Sequence, residues 1–113
     1  MNRIIGEKVQ VIVDRPLGST HPTHQTLIYP VNYGYVRGII AGDGEDQDCY
    51  ILGENKPITA FYGVVIAIIH RLNDIEDKWV VARENTSFSD EEILNLVNFQ
   101  EKYYKIELIR DTN

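Results

Sequence analysis

Four carboxylates stand within six residues in Asp43-Gly44-Glu45-Asp46-Gln47-Asp48. Like charges this close repel, so an ordered loop carrying them needs a counter-charge or full solvation. A hard divalent cation supplies that charge through oxygen ligands, and Mg²⁺ usually keeps several waters. A metal-bound water is in turn a source of hydroxide at neutral pH. Gly42 and Gly44 allow a tight turn in which carboxylates on either side converge on one point. The plain alternative is a solvated acidic turn. A calcium-binding helix–loop–helix is excluded. Glu54 falls at the twelfth position from Asp43, but Asp48 fills the sixth, where glycine is required. A second acidic turn, Asn73-Asp74-Ile75-Glu76-Asp77-Lys78, follows the most apolar stretch, and the two turns could face each other across one end of a barrel.

The elements that would position these turns are mostly strands. Val9, Val11 and Val13 alternate with other residues and predict a first strand. Arg15 to Pro22 breaks it with two prolines and a glycine. Tyr33–Ile40, Cys49–Leu52, the β-branched run Ile58–Ile69 and Trp79–Ala82 predict four more. Ser89-Asp90-Glu91-Glu92 is a capping box that opens an amphipathic helix over residues 90–104. Ile93, Leu94, Leu96, Val97, Phe99 and Tyr104 supply its apolar stripe, and Lys102 and Lys105 suit the dipole at its end. The expected class is α+β, mainly β. It is a small closed or partly open (OB-like) barrel with a C-terminal amphipathic helix, one domain over residues 1–113.

Composition narrows the function. The 113 residues carry a net charge of -6, which argues against nucleic acid bound through a basic face. One cysteine, Cys49, excludes an internal disulfide and reads as a small core residue in a reducing compartment. No apolar run reaches the ~18 residues of a membrane span, and Met1 to Glu7 lacks a signal-peptide core. The expectation is a cytoplasmic domain with no membrane partner. The two acidic turns hold seven of the 17 acids, so the imbalance reads as a metal site seen without its metal.

Tyr29-Pro30-Val31-Asn32-Tyr33-Gly34-Tyr35, followed at this distance by Asp43 to Asp48, resembles the family I (soluble, Mg²⁺-dependent) inorganic pyrophosphatases. The family carries Asn-Tyr-Gly-Tyr/Phe and then Asp-Gly-Asp-Pro-x-Asp. Weaker likeness extends back to Val11-Ile12-Val13-Asp14-Arg15-Pro16 and forward through Asp74–Val81 to Tyr104-Lys105. The resemblance implies metal ligands at Asp43, Asp48, Asp74 and Asp77, with Mg²⁺, or Mn²⁺ in its place, as the cofactor. It places Glu45 where the family has the aspartate that accepts a proton from the nucleophilic water. Tyr33 matches the tyrosine near that centre, and Asp14 falls where the family has a site-proximal glutamate. Tyr104 and Lys105 match a phosphate-binding pair; beyond the resemblance, Lys78 and Arg15 are expected as further phosphate contacts. The implied reaction is metal-dependent hydrolysis of pyrophosphate to two phosphates, by a homo-oligomer acting on a small phosphate substrate.

The sequence also differs from the family pattern. Glu45 is one methylene longer than the central aspartate, and Asp46 replaces proline. The second turn is two residues shorter, and Trp79 stands where the family has a lysine, with Lys78 next to it. The segment between Asp14 and Tyr29 is too short for the family's phosphate-binding hairpin, leaving Arg15, His21 and His24 to compensate. Arg15 directly follows Asp14, so an extended strand points them to opposite faces unless the Pro16 turn redirects one. His21 and His24 could bind phosphate as cations or a metal as neutral rings, or be plain surface residues. His70 reads as a packed histidine with one satisfied nitrogen. Three other functions stay open: hydrolysis of another phosphoanhydride, a non-catalytic metal- and phosphate-binding module, and an acidic barrel that only self-assembles.

Overall fold

The computed structural model describes residues 4–110; part of the N-terminal segment assessed above (Met1 to Arg3) lies outside them. Six strands and one helix follow in order. They are β1 (Lys8–Arg15), β2 (Asn32–Ile40), β3 (Asp46–Ile51), β4 (Ala60–Arg71), β5 (Asp77–Ala82), α1 (Asp90–Glu101) and β6 (Ile106–Ile109). The order β1-β2-β3-β5-β4 closes on itself through β1–β4 pairing, giving a five-stranded barrel to which β6 adds at β4. Only β3–β5 is parallel. Long β4 makes closure possible, because residues 60–64 pair with β1 and residues 68–71 with β6.

β2, β3, β4 and β5 bury both faces near the middle of the barrel, whereas β1 buries only Val11. Val11, Val36, Cys49, Ile51, Val65, Ile68, Trp79 and Val81 form one core, inside the barrel. Tyr33, Tyr50, Ala67, Ile69 and Val80 form a second on the outer wall, covered by Ile93 and Val97 of α1. Burial on both faces explains why β4 is a continuous apolar run rather than an alternating one. The Ser89 side chain accepts from the Glu92 amide while Glu92 accepts from the Ser89 amide, so the capping box starts α1 as expected.

Three expectations change. The helix stops at Glu101, not at 104, with Lys102 as its C-cap. The chain must leave there to enter β6, whose approach is fixed by hydrogen bonds between Leu72 and Lys105 and from the Lys105 amide to Asn73 Oδ1. Lys105 therefore lies beyond the helix, and β6 has no counterpart in the sequence reading. The third strand begins at Asp46, so half of the acidic loop is strand rather than turn. Residues 16–31, expected to lack a hairpin, form a reduced ribbon. Gly18 donates to Tyr29, Tyr29 to Ser19 and His21 to Leu27, around a Thr20–Ile28 bridge.

The β1–β2 seam depends on Gly34. A Cβ there would lie 1.9 Å from the Ile12 carbonyl oxygen, a backbone atom that cannot rotate away. Gly34→Ala should destabilise the barrel by about 1–3 kcal/mol, and circular dichroism melting would measure it. An unchanged Tm would mean that the two strands have slack at this point.

Candidate functional site: a cationic cleft on the outer wall of the barrel

A cleft of ≈ 710 Å³ opens between the outer wall, the C-terminal end of α1 and the 16–31 ribbon. The strands place its floor. Opposite Tyr50 in the β2–β3 register stands Tyr33, and the parallel register Cys49–Trp79 sets Asp48 beside Lys78. The Tyr33 hydroxyl donates to Asp48 Oδ2 at 2.9 Å, and Lys78 Nζ donates to the same oxygen at 2.8 Å. Burial, then the Asp48 charge, raises the Tyr33 phenol well above its ordinary value, which keeps it a proton donor. Tyr33 thus serves the core and the cleft at once, its ring buried and its hydroxyl at the floor.

Arg15 reaches the cleft through a bulge. Val13 faces Gly34 but Arg15 faces Tyr33, so Asp14 is an extra residue on β1. Val13 packs with the barrel interior. Without the bulge, Arg15, two residues on, would point inward as well. The guanidinium instead lies 5.4 Å from the Tyr33 ring centre and donates to the Tyr29 hydroxyl at 2.6 Å. Asp14 is raised by partial desolvation, opposed by Arg15 and aided by Asp48.

Arg71, at the end of β4, is the cation that the sequence reading missed. Its signal was a charged residue closing the longest apolar run. Only 4% exposed, it makes a two-pronged ion pair with Glu101, Nε at 2.9 Å and Nη2 at 2.7 Å. Its third nitrogen faces Asp74 at 3.3 Å and Glu76 at 3.6 Å, and the plane lies 3.7 Å from the Tyr104 ring centre. Burial opposes the charge, but the Glu101 hydrogen bonds outweigh it and hold Arg71 protonated. Glu101 was also missed, because its partner is 30 residues away, and Glu76, which pairs with both Arg71 and Lys78, was read only as part of the second acidic turn.

Three of the four aspartates named as metal ligands, Asp43, Asp48 and Asp74, lie around one cluster of Lys78, Glu76 and Arg71, so the two acidic turns face each other. Asp48 is held by Lys78 and Tyr33, and Asp74 by Arg71. Asp77 is paired at 2.7 Å with the half-exposed His70, its cross-strand neighbour. As the residue next to Lys78 on β5, Asp77 points to the opposite face from the cleft. Asp43 caps the Glu45 amide and hydrogen-bonds Glu76, which raises Glu76 and lowers Asp43. Among the described residues, no three His, Cys, Asp or Glu side chains are grouped to hold a metal ion. As placed, these carboxylates are engaged by Lys78, Arg71, His70 and one another. Lys78 and Arg71 supply the counter-charge that the acidic turns require.

The remaining named residues divide. Lys78, Arg15, Tyr33 and Tyr104 line the cleft together with Asp48, whereas Glu45 and Lys105 are exposed and lie outside the lining. His21 and His24 line its rim, their rings 5.0 Å apart. Desolvation, Arg15 and His24 all lower the His21 pKa. Cys49 is fully buried and burial pushes its thiol up, so it is a core residue. In total the lining sets Arg15, Arg71, Lys78 and Lys102 against Asp48 and Glu76. Glu101 and Asp74 pair with Arg71 from behind the lining, so Arg15 and Lys102 are the cleft cations with no carboxylate ion pair among the described residues.

A closed five-stranded barrel with one covering helix and an outer-wall cleft defines the class as a small mainly-β barrel. Solved structures match it along most of its length. An inorganic pyrophosphatase from Helicobacter pylori superposes with a TM-score of 0.71 at 12% identity, over 97% of this chain and 91% of that one. One from Ehrlichia chaffeensis gives 0.70 at 16%, over 97% and 92%, and one from Neisseria gonorrhoeae gives 0.67 at 17%, over 87% and 74%. At these identities the likeness is one of fold. No family model matches the sequence, and no curated protein matches it closely.

Proposed function

We propose that the cleft binds inorganic pyrophosphate, or another short phosphate chain, and hydrolyses its phosphoanhydride bond. The observation that carries this reading is the convergence of Arg15, Arg71 and Lys78 on one cleft in an otherwise acidic protein. Guanidinium groups match phosphate oxygens with paired N–H donors, and they stabilise charge that grows on those oxygens as the bond breaks. The fold shared with the pyrophosphatases supports the same substrate class.

In this reading water forms a bond to one phosphorus as the bridging P–O bond breaks. The proton of the water passes to a cleft carboxylate, Asp48 or Glu76, and leaves on a product phosphate. Tyr33 holds Asp48 in position. The base thus moves from Glu45, which stands outside the lining, to a carboxylate inside it. Mg²⁺ or Mn²⁺ belongs to this proposal as the counter-ion that pyrophosphate brings with it. Phosphate release from pyrophosphate with Mg²⁺ or Mn²⁺, at micromolar folded protein, tests the reading. Two phosphates per pyrophosphate are expected, and no release would overturn hydrolysis. A binding module without turnover is the second reading, favoured by the engagement of both Asp48 and Glu76 with Lys78. Calorimetric binding with no product would select it.

A further inference from the structure

A line of buried polar groups runs along the floor of the cleft, where Gln100 is itself part of the lining, and joins two arginines. Arg15 Nη1 donates to Tyr29 Oη at 2.6 Å, and Tyr29 Oη donates to Gln100 Oε1 at 3.0 Å. Gln100 Nε2 donates to Tyr50 Oη at 2.7 Å, and Tyr50 Oη donates to Glu101 Oε2 at 2.6 Å. Glu101 in turn receives the two donors of Arg71. Tyr29 and Tyr50 are fully buried, Gln100 is 8% and Glu101 2% exposed.

The polarity of this line is forced by its ends. Arginine can only donate and an ionised glutamate can only accept. Turning the Gln100 amide over would leave the Tyr29 proton without an acceptor. It would also ask the single Tyr50 proton to serve both Gln100 and Glu101. One amide orientation therefore satisfies all six groups. Apolar residues of the same size would fill this space without the cost of desolvating polar groups. Stability alone does not explain the line, whereas fixing two cations does.

We propose that Gln100 is a positioning residue, which acts through Tyr29 to hold the Arg15 guanidinium in place relative to Arg71. The part of this inference that concerns phosphate binding rests on the function proposed above; the part that concerns Arg15 does not. An arginine held in this way presents its free N–H groups to a ligand already oriented, with less rotamer freedom left to lose on binding.

Two measurements test it on Gln100→Leu, with Tyr29→Phe as the milder variant should the first fail to fold. The ¹⁵N NMR signals of the Arg15 guanidinium should be resolved by slow rotation in the parent protein and averaged in either variant. In calorimetry with inorganic pyrophosphate and Mg²⁺, Gln100→Leu should weaken binding roughly tenfold. In an Arg15→Ala background the same change should matter by less than about twofold, since the group it positions is gone. A merely structural role would give equal effects in both backgrounds. Unchanged Arg15 signals, or additive losses, would overturn the proposal. Averaged signals in a protein that does not bind pyrophosphate would keep the positioning role and remove the phosphate ligand.

Discussion

Glu101→Leu should lower the free energy of unfolding by about 3–5 kcal/mol, which urea titration followed by tryptophan fluorescence or circular dichroism would measure. The size follows from what is left behind. Arg71 is 4% exposed, and Glu101 is the partner of two of its nitrogens. Leucine fills the volume but leaves a buried guanidinium without its principal counter-charge, and the Tyr50 hydroxyl without its acceptor. Asp74 and Glu76 stand at 3.3 and 3.6 Å from the third nitrogen and compensate in part, so the lower end of the range is expected. A domain of this size has about 5–15 kcal/mol in all, so the variant would be marginal. Arg71→Leu on its own leaves the opposite charge buried and should cost a similar amount. The double replacement should recover much of the loss, because neither charge then remains. A loss below about 1 kcal/mol for Glu101→Leu would mean that water reaches Arg71.

The second large effect is expected at Lys78. Lys78→Met should weaken pyrophosphate binding by about 10²–10³-fold in calorimetry, with Lys8→Met, at a surface ion pair with Glu84, as the control. Lys78 is 5% exposed in its side chain and balances Asp48 and Glu76 together. Its loss removes one positive charge from the cleft and releases two negative ones toward the incoming anion. The effect should therefore exceed that of losing Lys102, which is exposed at the rim. Binding within about threefold of the parent would show that the anion sits elsewhere.

How far the sequence revealed these features depended on the distance over which partners act. The capping box at Ser89 and the apolar run of β4 are local signals: α1 begins at Asp90 as expected, and β4 lies two residues later than expected, at Ala60–Arg71. The Tyr33-to-Asp48 block likewise pointed to the right strands, and Tyr33 and Asp48 do meet. A sequence displays the charges of the acidic turns together and does not display which cations lie against them across the fold. Lys78 is 30 residues from Asp48, and Arg71 is 30 from Glu101. The Tyr29–Gln100 and Tyr50–Gln100 contacts span 71 and 50 residues, and no spacing rule connects such positions. The end of α1 was overestimated for a related reason. Tyr104 fits a helical stripe, but it is drawn out of the helix to lie against Arg71.

The bulge at Asp14 makes the site a matter of counting as well as of chemistry. Strand residues alternate between two faces, so the one extra residue at Asp14 decides which face Arg15 takes. Straightened into regular strand at the same length, β1 would direct the guanidinium into the apolar interior with Val11 and Val13, where a charge has no partner. Deleting Asp14 would instead place the arginine directly after Val13 and keep it on the outer wall. The cleft therefore depends on the bulge staying where it is, and tolerates its removal better than its straightening.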